Sequence, residues 1–375
     1  MILKRRLAYL DVMLIFLMFC LIAIGTVAIH EATVNTKLNG LHVNNVLSFA
    51  VFCIPMAVLA LLDYRFFIGK FAYVLYAIGI GLLLWVQFKG ENLNGAVRWF
   101  QIGSYQIQPS ELAKLFTVLL VAHLLHRRQG EKLRLFADIV PILAVFLIPF
   151  FLILKQPDLG TALVFIGILL GMMWMGNIRI LYMLAFVAAA ACLIGVTIWL
   201  FQTNPELLSK FVKPHQMNRI ETFIDPTSDP DKAWHVKNAI TAVGAGQLYG
   251  DDGYYLKHGF IPYAYSDSIF VVIGEQFGFL GSSALLLIYF ILIYRMVIIV
   301  YASRDLAGSY LVVGLISMFV FQIFVNIGMH IGILPLTGIS LPFISYGGSS
   351  LLTNMAAIGL ALSVSVHKGI RVDMD

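Results

Sequence analysis

Charged residues are scarce in this chain: Asp, Glu, Lys and Arg make up 12% of its 375 residues, roughly half the fraction found in a soluble domain. That shortage excludes an ordinary globular enzyme, a disordered chain and a nucleic-acid-binding module. Cysteine is rarer still. Cys20, Cys53 and Cys192 lie inside apolar runs without metal-ligand spacing, so the sequence indicates neither disulfide nor zinc chemistry.

What the sequence has instead is apolar residues, which make up 60% of the chain and give a mean hydropathy of +0.89. A helix crosses a hydrocarbon core about 30 Å thick with about 20 apolar residues. By that measure ten apolar segments lie near residues 10–29, 44–62, 69–88, 110–126, 136–154, 160–176, 180–201, 267–300, 307–331 and 346–367. The sequence therefore predicts an all-α polytopic membrane protein with about ten transmembrane helices, a single integral membrane domain over residues 1–375.

Basic residues are distributed unevenly between the two ends of these segments. If the N-terminus is cytoplasmic, 14 of the 25 Lys and Arg residues lie at inner ends. Five lie in short outer loops and helix starts, at Lys37, Lys89, Arg98, Lys114 and Lys155. The others belong to residues 202–264, and long segments are exempt from the positive-inside rule. The bias predicts a multi-pass protein with both termini in the cytoplasm, and residues 202–264 as its large extracellular loop.

Ionisable residues near a membrane interior are costly, so each is a candidate for function. Glu111 and Lys114 are three residues apart in a helix that Pro109 can start, and so share one face. With Arg98 before them, they form either a structural ion pair at a helix N-terminus or the lining of a polar cavity that meets a charged headgroup. Asp158 is likewise either a turn-and-cap carboxylate or a cavity-lining acid.

Two further acids lie at the end of the long loop and beyond it. Asp267 opens an apolar segment where a cleft can form, although an acid in a first helical turn is commonly a dipole partner. Glu275 lies eight residues later, and a buried carboxylate there is expected to pair with a basic or polar neighbour from another helix. Within the loop, residues 233–243 predict a re-entrant or surface-lying amphipathic helix.

Residues 326–350 contain no Asp, Glu, Lys or Arg, but two prolines and five glycines. This composition predicts a broken segment before the last helix, and non-helical backbone at membrane depth is tolerated only when it is buried in protein or lines a cavity. The stretch ends in a turn of small and polar residues, Ser345, Tyr346, Gly347, Gly348 and Ser349. Its hydroxyl and backbone N–H groups suit a phosphate or sugar headgroup; a packing loop is the alternative.

Together these pieces resemble the SEDS family (shape, elongation, division and sporulation proteins), which are polytopic peptidoglycan glycosyltransferases. Three blocks carry the resemblance: Arg-Trp-Phe…Gln-Pro-Ser-Glu-x-x-Lys at 98–114, Gln-Pro-Asp-x-Gly-Thr at 156–161, and Asn-x-Gly-Met…Leu-Pro-Phe…Ser-Tyr-Gly-Gly-Ser at 326–349. The match covers nearly the whole chain in order. Residues 233–240 and the short chain ends are more similar to members that serve cell elongation and rod shape than to those that serve division.

The resemblance implies an enzyme that polymerises lipid II at the outer face of a bacterial plasma membrane. The growing glycan is held on undecaprenyl diphosphate. The family's catalytic aspartate maps onto Asp267, while Arg98, Glu111, Lys114 and Asp158 map onto positions that line its central cavity. The motif around the aspartate departs from the family pattern at Tyr263, Tyr265, Ser266 and Ser268.

The implied partner is a class B penicillin-binding protein, a transpeptidase, and no nucleic acid is expected. No cofactor is certain, although a divalent cation (Mg or Mn) is compatible with the chemistry. Two other classes stay open at this point: a flippase of lipid II or another lipid-linked substrate, and a scaffold that recruits a transpeptidase. The gathering of acids and bases near outer helix ends favours the enzyme.

Overall fold

The computed structural model describes residues 9–34, 36–93, 96–102, 105–209, 217, 221–223 and 230–368. The long helices of these ranges are α1 Val12–Thr33, α2 Leu41–Leu61, α4 Phe71–Lys89, α5 Pro109–His126, α6 Val140–Lys155, α7 Leu159–Met175, α8 Ile180–Thr203, α10 Pro230–Ala245, α12 Ile269–Ala302, α13 Leu306–His330 and α14 Gly348–His367. Shorter ones are α3 Tyr64–Ile68, α9 Pro205–Ser209 and α11 Tyr254–Lys257, and a π-helical turn at Leu135–Ile139 precedes α6.

Each of the ten predicted apolar segments coincides for most of its length with one of these helices, which confirms a mostly helical, multi-span membrane protein. Among the described residues, eight helices are long and apolar enough to cross a membrane. Of the remaining two, α5 has 18 residues and α7 has 17. The number of crossings and the cytoplasmic position of both termini stay predictions.

A small sheet that the sequence analysis did not predict joins α4 to α5. Its strands are β1 Glu91–Leu93, β2 Ala96–Ile102 and β3 Tyr105–Ile107, paired antiparallel in that order. Phe100 is opposite Ile107, and Ile102 is opposite Tyr105. The sheet places Arg98 on its middle strand, where the sequence indicated only a segment before a helix.

Helix α14 lies at the centre of the bundle and α8 at its periphery. α14 is rich in Gly, Ala and Ser and is buried along nearly its whole length, whereas no residue of α8 is buried. Small residues allow helix backbones to approach closely within a membrane. A Cβ added at Gly359 would lie 2.6 Å from the carbonyl oxygen of Met56 on α2, so this packing depends on glycine.

Helix α12 is broken at Gly278, where φ is 61° and ψ is −156°. The loop after α10 supplies carbonyl acceptors for the backbone N–H groups that the break would leave unsatisfied. The N–H groups of Phe279 and Leu280 donate to the carbonyls of Gln247 and Leu248, at 2.8 and 3.1 Å. A side chain at Gly278 would meet the nitrogen of Gly250 at 2.5 Å, so the kink and the loop fit only around glycine.

The predicted helix within residues 202–264 is confirmed as α10, which packs on the first part of α12. Its buried side holds Asn238, Ala239 and Ala242. Trp234 and Ile240, on the apolar side of this helix, are 47% and 39% exposed, so part of that side does not turn into the protein. This arrangement is typical of a helix that meets lipid or another surface.

Candidate functional site

Asp267 lies in the turn that leads into α12. The helix begins at Ile269, so Asp267 precedes it by two residues instead of opening it. The backbone carbonyl oxygen of Asp267 accepts hydrogen bonds from Nδ2 of Asn326 at 2.8 Å and from Nε2 of His330 at 2.9 Å. Both donors are fully buried near the end of α13. The backbone of the candidate catalytic residue is therefore fixed by a neighbouring helix.

His330 was not singled out from the sequence, although it follows the Asn-x-Gly-Met motif directly. A carbonyl oxygen can only accept, so Nε2 of His330 carries a proton. Nδ1 of the same ring is buried and has no hydrogen-bond partner among the described residues. The ring thus serves as a donor that positions Asp267.

The predicted broken segment is confirmed between α13 and α14, over residues 331–347. It packs directly around the Asp267 turn. The N–H of Tyr346 donates to the carbonyl of Tyr265 at 3.0 Å, and a Cβ added at Gly338 would lie 3.4 Å from Oδ2 of Asp267. Gly338 has a φ of 72°, a conformation that glycine adopts without strain.

The segment also reaches into the depth of the bundle. The hydroxyl of Tyr289, well inside α12, donates to the carbonyl of Pro342 at 2.5 Å. Phe343 contacts the ring of Phe319, which lies three turns from the end of α13. Residues 341–345 are buried, as expected for non-helical backbone at membrane depth.

Arg98 holds the turn that contains Asp158. Its guanidinium donates to the carbonyl of Gln156 at 2.9 Å and to that of Pro157, and it lies 3.7 Å from Oδ1 of Asp158. Asp158 in turn caps α7, because its carboxylate accepts from the N–H of Thr161 at 3.2 Å. Of the two alternatives for Asp158, the geometry fits the turn-and-cap carboxylate.

Gln108 links this turn to the last helix, a role that the motif alone does not reveal. Its side-chain amide donates to Oδ2 of Asp158 at 3.0 Å, and its backbone N–H donates to Oγ of Ser349 at 2.9 Å. On the other side, a Cβ added at Gly160 would lie 3.1 Å from Cβ of Thr337. The three motif blocks are thus in direct contact.

Glu111 and Lys114 form a buried ion pair, with Nζ of Lys114 at 2.8 Å from Oε1 of Glu111. Their side chains are 3% and 0% exposed. Oε2 of Glu111 has no partner among the described residues. A buried carboxylate oxygen normally finds a partner in protein or water, so this atom is available to water or to a polar substrate.

More buried polar atoms without a partner in the described residues lie within about two turns of the same end of the bundle. They belong to Ser110 and Thr117 of α5, Gln322 of α13, and Thr353 and Asn354 of α14. These three helices pack against one another. Such a concentration of unsatisfied groups is typical of a wet or ligand-binding interior rather than of a dry core.

The predicted turn at 345–349 uses its two serine hydroxyl groups within the protein. Oγ of Ser345 accepts from the N–H of Leu341 at 2.7 Å, and Oγ of Ser349 donates to the carbonyl of Gln106 at 3.1 Å. The groups that this turn can offer a ligand are therefore mainly backbone N–H groups. The first N–H groups of a helix have no partner within that helix, and α14 begins at Gly348.

Four helix N-termini meet in this region, at Pro109, Leu159, Ile269 and Gly348. The contacts of Gln108, Asp158, Tyr265 and Tyr346 join them. Helix N-termini carry partial positive charge and attract anions. Arg98 and Lys114 add two cations, each paired with an acid, so it is chiefly the helix N-termini that suit this region to an anionic group.

The Tyr265 phenol, two residues before Asp267, does not compete with Asp267 as a base. Burial raises the pKa of Tyr265 above its usual range, and the charges of Tyr263, Asp267 and Tyr346 add to that shift. The phenol therefore stays protonated at neutral pH and can act only as a neutral hydrogen-bonding group.

Glu275 is buried, and its partners are polar groups of another helix, although they belong to the backbone. Oε1 and Oε2 accept from the backbone N–H groups of Tyr255 and Leu256, at 2.6 and 3.2 Å. Both donors belong to α11, the short helix before the Asp267 turn. Glu275 thus anchors the loop that leads to Asp267.

Among the described residues, no group of three or more His, Cys, Asp or Glu side chains is arranged to hold a metal ion. The divalent cation considered from the sequence stays a prediction.

These features define a polytopic α-helical membrane protein with a polar site at one end of its bundle. The chain belongs to the family of cell cycle proteins that comprises FtsW, RodA and SpoVE, whose family model matches residues 9–370. The expected family membership is confirmed.

Curated relatives include proteins of sporulation and division. The chain is 34% identical to stage V sporulation protein E of Bacillus subtilis (strain 168), over 78% of each chain. It is 30% identical to a probable peptidoglycan glycosyltransferase FtsW of Trichlorobacter lovleyi, over 96% of this chain and 94% of that protein.

Solved structures agree with this fold over nearly the whole chain. One is a chain of a peptidoglycan synthase complex that coordinates polymerization and crosslinking, with a TM-score of 0.80 and 29% identity over 95% of this chain and 97% of that one. Another is the rod shape determining protein RodA of Thermus thermophilus, with a TM-score of 0.70 and 27% identity over 96% of this chain and 98% of that one.

Proposed function

We propose that this chain is a peptidoglycan glycosyltransferase that polymerises lipid II at the outer face of the bacterial cytoplasmic membrane. The observation that carries the proposal is the fixed position of Asp267. Its turn is held by Asn326 and His330 and surrounded by residues 331–347, where four helix N-termini meet. The names of the FtsW relative and of the peptidoglycan synthase complex support the same activity.

In the proposed reaction, Asp267 accepts the proton of the acceptor's GlcNAc 4-hydroxyl. The oxygen attacks C1 of the donor MurNAc, the glycosidic bond forms with inversion, and undecaprenyl diphosphate leaves with the electron pair of the broken C1–O bond. General base catalysis of this kind contributes about 10²- to 10⁴-fold in rate. A single carboxylate suffices because diphosphate leaves without protonation, unlike the leaving group of a glycosidase.

The leaving diphosphate is stabilised by fixed positive groups. Arg98 and Lys114 are already engaged by Asp158 and Glu111, so they act through charge and position instead of as mobile clamps. Together with the helix N-termini, they form a preorganised electrostatic environment. Buried polar atoms of α5, α13 and α14 would form hydrogen bonds with the sugar hydroxyls.

For its cellular role we propose elongation and rod shape, as in RodA, with division as the alternative. The fold similarity to RodA of Thermus thermophilus supports elongation, while the FtsW relative supports division. A class B penicillin-binding protein is the proposed partner. It would crosslink the strands that this chain makes, in a complex of the kind that the structural relative forms.

Transport of lipid II is the second candidate function, because residues 331–347 enter the bundle as a non-helical segment, a feature of many transporters. The position of the charged groups favours the enzyme. Asp267, Arg98, Asp158 and the Glu111–Lys114 pair lie at one end of the bundle, whereas a transporter places its site near the bilayer midplane.

An assay with purified protein in proteoliposomes that contain lipid II distinguishes the two functions. An enzyme converts lipid II into glycan strands, and Asp267→Asn abolishes strand formation. Asp252→Asn, an exposed aspartate of the same loop, serves as the control and keeps the activity. Translocation of lipid II without strand formation, unaffected by Asp267→Asn, would establish the flippase instead.

A further inference from the structure

A second cleft lies at the end of the bundle opposite Asp267. Helices α5 and α7 both begin at the Asp267 end, so the segments that follow them, including Arg134 and Arg179, lie at the other end. Between these segments is an open cavity of about 510 Å³. Basic and aromatic side chains contribute to its wall, among them Lys132, Arg134, Arg179 and Tyr182.

The cleft carries excess positive charge. Lys132, Arg134 and Arg179 are exposed, and Glu131 is the single acid of the wall. Arg128, which follows α5, is paired with Asp138 of the π-helical turn and lies at a longer distance from Glu131. Its guanidinium contacts the Asp138 carboxylate at 2.6 and 2.5 Å and lies 4.0 Å from Glu131. The charge of Arg128 balances that of Asp138, so Glu131 alone opposes the three cations of the wall, and the cleft is left with a net positive charge.

The rim of the cleft is apolar on the membrane side. Phe136 is 82% exposed in the π-helical turn, and Ile180 and Leu181 are 57% and 70% exposed at the start of α8. π-Helical turns are rare and occur frequently at functional sites. Cations next to exposed apolar side chains suit an anionic lipid, because the cations bind its headgroup and the apolar side chains contact its acyl chains.

We propose that this cleft binds the phosphodiester headgroup of an anionic membrane phospholipid, in the leaflet opposite the Asp267 site. The positive-inside rule accounts for basic loops at this end of the protein. It does not account for three cations that converge on one cavity of headgroup size, bordered by exposed apolar residues. The lipid's phosphate contacts Lys132, Arg134 and Arg179, and its chains lie along Phe136 and the first turn of α8.

The test compares phosphatidylglycerol with phosphatidylcholine as ligands of the delipidated protein, by native mass spectrometry. Wild type is expected to prefer phosphatidylglycerol. The triple variant Lys132→Gln, Arg134→Gln, Arg179→Gln is expected to lose that preference by roughly 100-fold, since each surface cation contributes about fivefold. The matched control is Lys70→Gln, Arg127→Gln, Arg304→Gln, which removes three exposed cations at the same end but outside the cleft.

An equal loss of the phosphatidylglycerol preference in both triple variants would show that diffuse positive charge, and not this cleft, attracts the lipid. Full retention of the preference in the cleft variant would also overturn the proposal. Competition by millimolar glycerol 3-phosphate would show a site for free phosphate instead of lipid, which also contradicts the proposal. If the triple variant does not fold, as judged by thermal unfolding, Arg179→Gln alone is measured against Arg304→Gln. The expected loss is then about fivefold for Arg179→Gln and none for the control.

Discussion

Nε2 of His330 lies 2.9 Å from the backbone carbonyl oxygen of Asp267. This contact joins the end of α13 to the turn that carries the proposed catalytic base, across 63 residues of sequence. Together with the Asn326 bond to the same oxygen, it fixes the backbone of Asp267, from which the carboxylate projects, before any substrate binds. Preorganisation of this kind converts binding energy into rate, because a small displacement of a catalytic group is costly.

Replacing His330 with alanine is therefore expected to lower the turnover of lipid II. The loss of one hydrogen bond corresponds to about 1 kcal/mol, or roughly fivefold, and more if the turn shifts. His330→Gln retains an N–H donor and is expected to recover part of the rate. The measurement is steady-state polymerisation, with kcat and KM determined separately, and the exposed His258→Ala is the control. A change in KM alone would contradict a positioning role.

Gly338 is expected to tolerate no side chain. Its φ of 72° strains any other residue, and an added Cβ would lie 3.4 Å from Oδ2 of Asp267. Gly338→Ala should lower kcat by about tenfold or more, because strain of 1–3 kcal/mol is relieved by moving the turn. Gly244→Ala, at a site with no atom within 4 Å of the added Cβ, should retain wild-type kcat. Equal rates for both variants would show that residues 331–347 do not position Asp267.

Variants of the buried Glu111–Lys114 pair can distinguish an effect on protein stability from an effect on polymerisation activity. Lys114→Met leaves the Glu111 carboxylate buried without its cation, which costs about 3–5 kcal/mol. The double variant with Glu111→Gln removes that penalty and should unfold at a temperature close to that of wild type. If Lys114 also stabilises the leaving diphosphate, the double variant stays inactive in polymerisation. Recovery of both stability and activity would make the pair purely structural.

Arg98 is expected to require its planar guanidinium. It donates to the carbonyls of Gln156 and Pro157 and lies beside Asp158, and an ammonium group cannot reproduce that fork. Arg98→Lys should lower the unfolding temperature by roughly 2–5 °C, measured on the detergent-solubilised protein. Lys89→Arg changes an exposed cation at the end of α4 and should leave the temperature unchanged. An unchanged unfolding temperature for Arg98→Lys would contradict this role of the guanidinium.

Glu275 is expected to protect backbone amides of the loop before Asp267 from hydrogen exchange. Its carboxylate accepts two backbone N–H groups of α11, and bonds to charged acceptors contribute about 1.5–3 kcal/mol each. Glu275→Ala should speed hydrogen exchange at Tyr255 and Leu256 by at least tenfold, measured by mass spectrometry of the loop peptides. The exposed Glu206→Ala should leave the same peptides unchanged. Unaltered exchange in Glu275→Ala would show that the loop is held by other contacts.

The sequence predicted the helices well because a membrane span is a matter of length and hydropathy, both of which are local. It predicted the break between α13 and α14 for a similar reason, since two prolines, Pro335 and Pro342, together with several glycines within a short stretch disfavour a continuous helix. Asp267 could be singled out as an acid at the end of a loop, and family resemblance then supplied its role.

The features that the sequence did not predict depend on contacts between groups that residue types alone do not reveal. The strands of the small sheet are three to seven residues long, too short for a clear alternating pattern. The partners of Glu275 are backbone N–H groups, and those of Arg98 include backbone carbonyls, which no residue type reveals. His330 lacked a signal for the same reason: its function is a contact with the carbonyl of residue 267.

The most direct test of this account is the rate of glycan formation by Asp267→Asn, with lipid II binding measured on the same preparation. Asparagine preserves the size of the side chain and removes its basicity. If Asp267 is the base, kcat falls by about 10²-fold or more, while the dissociation constant for lipid II and the unfolding temperature stay those of wild type. A kcat within threefold of wild type, or a loss explained entirely by weaker binding, would contradict Asp267 as the catalytic base.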